Sequence, residues 1–316
     1  MLSELGPVVI NEAYEPWDQA TLTEHCRGAQ ALLAFMTETI DADFVAACSQ
    51  LRVVAGALKG YNNIDVEACS RAGVLLTIVP DLLTAPTAEL TLGLMISVAR
   101  QMGPGEQYVR SGNFRGWRPR FYGRSINGST VAVIGAGAVG QSILKMLAGF
   151  DCRRLYFDRE RMTPDQEHTL GCQYASLDAA REAADFLVLA LHLTPETRHM
   201  VNADFLASMT RGSFLINPAR GSLVDEAAVE KALSGGHLGG YAADTFEMED
   251  WSLADRPGDI APGILTSERT VLTPHIGSAV FDVRQEIELS AAKSIVAVAR
   301  GEVPDTAVNS PLRIAG

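Results

Sequence analysis

Val131-Ala-Val-Ile-Gly135-Ala-Gly137-Ala-Val-Gly140 is an apolar run of strand length that passes directly into G-x-G-x-x-G and then into a helical pattern, Gln141 to Ala148. The glycine spacing alone is a weak signal. Placed between a strand and a helix it becomes a strong one, because each glycine has a physical task. Gly135 permits a tight turn, Gly137 lets the backbone approach a pyrophosphate, and Gly140 lets helix and strand pack closely. The helix N-terminus adds unpaired N–H groups and the positive end of its dipole. The segment predicts a doubly wound α/β unit with a dinucleotide at the carboxyl end of its sheet.

The next strand ends at Asp158, 18 residues past Gly140 and close to the roughly 20 expected for a ribose-binding acid. A carboxylate there accepts hydrogen bonds from both ribose hydroxyls and repels a 2′-phosphate, which favours NAD over NADP. Arg159 and Arg161 follow at once and would soften that preference.

Outward from this unit, strand–helix alternation continues in both directions. Upstream, Ala31–Met36, Leu51–Leu58 and Val74–Val79 read as strands, with helices over Asp41–Gln50 (Asp41 as N-cap) and about Asp65–Ala72. Downstream, Arg154–Phe157, Phe186–Leu191, Ser213–Ile216 and Gly240–Ala243 read as buried strands. Such alternation implies parallel sheets covered by helices. Two long helical stretches, Thr87–Ser111 and about Ala279–Arg300, flank the central unit and suggest that the chain crosses between two domains twice. The expected division is a flavodoxin-like substrate-binding domain, 1–98 plus 287–316, and a Rossmann domain, 99–286, with a cleft between them. The tail from Pro304 to Gly316 has no readable pattern.

The 316 residues suit about two domains of roughly 150. A net charge of −12 argues against nucleic acid or an anionic membrane as the main partner. Apolar stretches such as Phe186–Leu191 are strand-sized, and Met1–Pro7 has no basic cluster, so neither a membrane span nor a leader is expected and the chain reads as cytoplasmic. Cys26, Cys48, Cys69, Cys152 and Cys172 are odd in number and widely spaced, which points to buried thiols rather than disulfides or a metal site. His25, His168, His199 and His237 are isolated and read as structural or solvent-facing.

Three strand ends carry polar residues where open α/β sheets bind ligands: Asn217-Pro-Ala-Arg220-Gly-Ser, Ala243-Asp244-Thr-Phe-Glu247-Met-Glu249-Asp250 and Thr273-Pro-His275-Ile-Gly-Ser. Hydride transfer to a nicotinamide needs a base for the departing proton, and a neutral His suits that near neutral pH. A carboxylate on its other nitrogen fixes the tautomer, and an Arg fork orients an oxyanion. Glu247 competes with Glu249 for the carboxylate role and ranks below it.

On these segments the chain resembles the D-isomer-specific 2-hydroxyacid dehydrogenase family over nearly its whole length. The resemblance implies Arg220, Glu249 and His275 as the catalytic set. It also implies Thr87, Gly135, Gly137, Ala138, Val139, Gly140, Asp158, Leu191, Pro218 and Asp244 around NAD, and a homodimer. Most members have a glycine-rich loop before N-I-D; here it reads Gly56-Ala-Leu-Lys59-Gly60-Tyr-Asn-Asn-Ile-Asp65, with one of only four lysines in the chain. Together with Val79-Pro-Asp-Leu-Leu-Thr84, Gly116-Trp117-Arg-Pro-Arg-Phe-Tyr122 and Gly240-Tyr-Ala-Ala-Asp244-Thr-Phe-Glu-Met-Glu249-Asp-Trp251, this is similar to the family's phosphite-oxidising members. That similarity implies NAD-dependent oxidation of phosphite, with Lys59, Gly60, Met36, Arg284, Trp117 and Tyr122 around the anion. The alternatives are a D-2-hydroxyacid dehydrogenase or glyoxylate/hydroxypyruvate reductase, which shares the catalytic set, and an NAD(H)-sensing binding protein on the same fold. Arg115, Arg118, Arg120 and Arg124 read either as a solvated arm or as a basic rim that draws anions inward.

Overall fold

In a computed structural model, which describes residues 1–79 and 81–310, the chain divides into two compact units. The first takes in Met1–Leu83, Trp251–Ala254 and the chain from Ala279 onward; the second is Thr84–Asp250 with Asp255–Ser278. The last residues of the C-terminal tail, 311–316, lie outside the described residues.

The first unit begins with α1 (Gln19–Cys26), β1 (Ala31–Ala34), α2 (Ala42–Ala47), β2 (Val53–Gly56), α3 (Val66–Ala72) and β3 (Leu75–Thr77). Asp41 and Asp65 cap α2 and α3 by accepting the Phe44 and Ala68 N–H groups, and Gly73 ends α3 in the left-handed conformation. The three strands are parallel, in the order β1-β2-β3. Alternate residues of β2 serve two cores: Val54 packs with Phe44, Val45 and Cys69, whereas Val53 and Ala55 pack with Ile287, Ala291 and Ile295 of the C-terminal helix. Helices therefore cover both faces, as a flavodoxin-like unit requires, while these three strands run in chain order without its reversal.

The second unit holds α4 (Thr84–Ala99), α5 (Met102–Arg110), β4 (Thr130–Ile134), α6 (Ala138–Met146), β5 (Arg153–Phe157), α7 (Pro164–Leu170) and β6 (Gln173–Tyr174). It continues through α8 (Leu177–Ala183), β7 (Phe186–Leu189), α9 (Ala203–Ala207), β8 (Phe214–Asn217), α10 (Glu226–Ser234), β9 (Gly240–Ala243), α11 (Pro262–Thr266) and β10 (Thr270–Leu272). Its seven strands are all parallel, ordered β10-β9-β8-β7-β4-β5-β6, so the winding reverses at β4, where the glycine-rich loop leaves the sheet. Ala132 and Ile134 face one core, Val131 and Val133 the other. The final helix, α12 (Phe281–Ala299), returns to the first unit, and beyond it Ala307 pairs antiparallel with Thr77 of β3.

Three sequence expectations change. The stretch Thr87–Ser111 is two helices, because Gln101 adopts φ 50° between them and Pro104, lacking an N–H, sits in the first turn of α5. Asp81–Ala99 is longer than the strand-sized apolar runs expected and is long and apolar enough to cross a membrane by composition. Within the second unit Ala88, Leu94, Met95, Val98 and Ala99 of this segment pack against Val131, Val133, Ile143 and Leu144. That packing also explains why the division falls at Leu83 and Thr84 instead of at 98.

Candidate active site

The loop after β4 shows three glycines under three different constraints. Gly135 has φ +103°, and a Cβ there would lie 2.3 Å from the Ala190 carbonyl oxygen. A Cβ at Gly140 would lie 1.9 Å from the Gly135 carbonyl oxygen. Gly137 is exposed, has an ordinary extended conformation, and would place a Cβ in open space. As N-cap of α6 it offers no side chain to the first N–H groups of the helix, which leaves these donors to an anion. Ala138 and Val139 open that helix. These residues fit the pyrophosphate of a dinucleotide.

Asp158 follows β5 and accepts the Ala136 N–H at 2.6 Å, which ties it to the same loop. Arg161 is not free to meet a 2′-phosphate: its Nε and a terminal nitrogen donate to Glu167 at 2.8 and 3.0 Å. Arg159 is exposed.

β8, β9 and β10 are neighbours in the sheet, so the loops after them lie side by side. They carry Arg220, Glu249 and His275. The Asn217 side chain folds back to donate to the Arg220 carbonyl at 2.8 Å and to accept the Ala219 N–H at 3.1 Å. Pro218 between them is buried, and Leu191 is the second residue beyond β7. Gly221 packs so tightly on the next loop that a Cβ would lie 1.8 Å from the Phe246 carbonyl carbon. Burial pushes the Arg220 guanidinium pKa down, and the charges of Asp250 and Glu249 oppose that shift. Asp250 accepts the Ser222 N–H at 2.7 Å, and its own pKa is raised by burial.

Glu249 Oε2 lies 2.6 Å from His275 Nδ1, and Glu249 Oε1 accepts the Phe246 N–H at 2.6 Å. A carboxylate only accepts, so Nδ1 carries the proton and Nε2 of the neutral ring is the basic nitrogen. His275 itself sits at φ 53°. Its loop is held by buried Asp244, which accepts the Ile276 and Gly277 N–H groups at 2.8 Å and the Thr273 hydroxyl at 2.6 Å. Burial raises the Asp244 pKa and these donors work against it. Thr87 on α4 lies beside this loop, its Oγ1 3.2 Å from where a Gly277 Cβ would stand.

The residues expected around the anion are distributed over both units. In the first, Lys59 Nζ lies 2.5 Å from Asp81 Oδ1, beside Gly60 in the loop after β2, so its charge is partnered. Arg284 lies 5.5 Å over the Phe35 ring, next to half-buried Met36, and 3.7 Å from Glu288. In the second, Trp117 and Tyr122 are 78% and 74% exposed on an irregular arm. The basic rim is less available than its arginine count implies: Arg124 pairs with Asp185, Arg115 and Arg118 donate to nearby carbonyls, and Arg120 stacks over Tyr108. Among the described residues no His, Cys, Asp and Glu cluster could hold a metal, and all five cysteines are free.

One histidine set aside on sequence grounds is not isolated: His199 Nε2 lies 2.6 Å from Glu247 Oε2. They stand 48 positions apart in the chain, and no periodic signal could have paired them.

Residues 92–277 match the family described as D-isomer specific 2-hydroxyacid dehydrogenase, NAD binding domain. The glyoxylate reductase of Pyrococcus furiosus is 36% identical over 98% of this chain and 91% of its own length. That of Pyrococcus horikoshii is 37% identical over 91% and 85%. Among solved structures, a protein from Thermus thermophilus gives a TM-score of 0.85 at 32% identity, covering 93% of this chain and 91% of that one. A glyoxylate reductase from Paecilomyes thermophila gives 0.82 at 27% identity, over 92% and 88%. With the match spanning more than half its length and these relatives aligned nearly end to end, the chain belongs to the D-isomer-specific 2-hydroxyacid dehydrogenase family and is an NAD-dependent oxidoreductase.

Proposed function

We propose that the protein interconverts a small 2-oxo acid and its D-2-hydroxy acid, with glyoxylate the first substrate to assay. The observation that carries the reading is the adjacency of Arg220, Glu249 and His275 on three neighbouring loops, with His275 Nδ1 held by Glu249 at 2.6 Å. NAD supplies the hydride acceptor, or as NADH the donor, and Gly137, Ala138, Val139 and Asp158 are the residues that would hold it. Thr87, Leu191, Pro218 and Asp244 are proposed to border its nicotinamide end. Nε2 of His275 takes the hydroxyl proton in oxidation and returns it to the carbonyl oxygen in reduction. Glu249 stabilises the imidazolium formed on the way. Arg220 grips and orients the substrate oxyanion; it is half-buried, so fewer waters compete for the fork than at the surface.

A second reading is oxidation of phosphite, and one observation favours it: a lysine, Lys59, stands in the loop after β2. The sequence puts this reading first. The relatives named above support the 2-oxo acid instead, and the pairing of Lys59 with Asp81 leaves less net positive charge in that loop than the sequence implies. In this reading His275 would take the proton from a water attacking phosphorus, with Met36, Gly60, Arg284, Trp117 and Tyr122 as further proposed contacts. A homodimer is also proposed, to be checked by light scattering.

The test is nicotinamide absorbance with purified protein: NADH consumption with glyoxylate or hydroxypyruvate, and NADH formation with glycolate, D-glycerate, D-lactate or phosphite. The reading expects the fastest turnover on an organic acid. Turnover on phosphite alone would replace it with the second reading, and no turnover on any of them would leave an NAD(H)-binding protein.

A further inference from the structure

The two loops that carry Arg220 and Glu249 are joined by a residue outside both. His199, just before Val201 and α9, has φ 49°, a left-handed conformation rare for a residue with a side chain. Its backbone N–H donates to the Ser222 carbonyl at 2.8 Å, two residues past Arg220. Its ring Nε2 lies 2.6 Å from Glu247 Oε2, two residues before Glu249. Val201 N–H then donates to Leu223 and Asp225 N–H to Val201, so the connection to the Arg220 loop is a short ladder and not a single contact.

The Glu247 end is equally well fixed. Glu247 Oε1 accepts the Glu226 N–H at 3.0 Å, and Glu226 Oε1 accepts the Glu247 N–H at 2.9 Å. Glu226 Oε2 accepts the Ala261 N–H at 3.1 Å. Three of the four oxygens of these two buried carboxylates thus meet backbone donors. The fourth, Glu247 Oε2, meets only the His199 ring among the contacts described. Glu247 and Glu249 belong to one 3-10 turn, so the backbone that places Glu247 also places Glu249.

We propose that His199 is a positioning residue: through its ring on Glu247 and its backbone on Ser222, it sets the relative placement of Glu249 and Arg220. The inference rests on the catalytic reading of those two residues given above. It assigns no proton transfer to His199 itself.

The test compares His199→Asn with His199→Gln on whichever substrate the wild type turns over fastest. Asn tolerates the left-handed backbone but is too short to reach Glu247; Gln reaches and can donate. His199→Asn should keep the wild-type melting temperature and NADH affinity and lose kcat about 10- to 100-fold, the scale set by small misplacements of reacting groups. His199→Gln should recover most of that loss. Wild-type kcat and KM in folded His199→Asn would overturn the proposal. So would a loss of activity that only tracks the folded fraction. Should His199→Asn fail to fold, Glu247→Gln makes the same comparison, since an amide has one acceptor where two are used. His275→Ala, run alongside, separates the layers. Full activity there sinks the catalytic reading and this inference with it, whereas its inactivity beside an active His199→Asn sinks this inference alone.

Discussion

Gly137→Ala should weaken NAD binding while leaving the protein folded, although the same change three residues on should not be tolerated. At Gly137 φ is −68° and ψ −171°, which any residue adopts, and the new methyl would meet no atom within 4 Å. Alanine is a poorer N-cap than glycine by up to about 1 kcal/mol, and reduced freedom of the unfolded chain returns about 0.4–1 kcal/mol. The net change in stability is therefore within about 1 kcal/mol of zero, or at most about 2–4 °C in Tm. The methyl occupies the space through which the backbone would approach a pyrophosphate. Losing one backbone hydrogen bond to a charged group costs about 1.5–3 kcal/mol, or roughly 10- to 150-fold in Kd. At Gly140 the added Cβ falls 1.9 Å from the Gly135 carbonyl oxygen. Both partners there are backbone, so relief means moving α6 off the sheet, at a cost on the order of 3–5 kcal/mol. Thermal melting and NADH fluorescence titration read the two effects separately. Unchanged NADH affinity in Gly137→Ala would rule out the pyrophosphate contact at Gly137, and a wild-type Tm in Gly140→Ala would rule out the tight packing of α6 on the loop.

Asp158→Ala should admit NADP, with Arg159 supplying the charge because Arg161 is held by Glu167; no rise in the NADP-to-NAD ratio of kcat/KM would place the ribose contact elsewhere. If the phosphite reading holds, Lys59→Ala should raise KM for phosphite about tenfold, as expected for a lost charged contact worth about 1.5 kcal/mol, and should leave Tm nearly unchanged, since its Asp81 partner is 74% exposed. An unaltered KM for phosphite would count against that proposed contact. Hydrogen bonds from the Arg161 guanidinium and then the Tyr156 hydroxyl hold the Glu167 carboxyl at about 2, below its ordinary 4.5. Its stabilising contribution is thus complete above the unfolded value and lost as pH falls toward 2. In urea unfolding, wild type should exceed Glu167→Gln at neutral pH by a margin that narrows on acidification, and a constant margin would contradict the assignment.

Much of the second unit was legible because local chemistry and global topology agree there. Gly240–Ala243 is a strand over the expected residues, and the apolar run from Val131 lies in β4, since continuous apolar runs between turn residues leave few alternatives. β6 and β10, the two edge strands of the sheet, escaped notice for related reasons. β6 is a two-residue edge strand with both residues exposed, and β10 carries a polar Thr270 and only partial burial. The three-residue spacing of Gln101 and Pro104 could have signalled the break between α4 and α5, but the apolar periodicity on either side concealed it.

At the site, residue types were readable and partnerships were not. Glu249 and His275 could be nominated because strand-end acids and histidines serve hydride transfer. In the fold one 3-10 turn sends Glu249 to His275 and Glu247 to His199. No sequence rule pairs His199 with Glu247, because their contact depends on how the loops after β7 and β9 meet. The same limit applied to cations: Lys59, Arg124 and Arg161 each looked available in sequence, and each is paired with a carboxylate in the fold.

On the proposed mechanism His275, oriented by Glu249, moves the substrate proton. The decisive measurement is the turnover of His275→Ala on protein whose NADH affinity has been titrated in the same preparation. NADH binding should stay at the wild-type level while kcat falls about 10²- to 10⁴-fold, the usual contribution of a positioned acid–base group. Wild-type kcat in that variant would rule out His275 as the proton carrier.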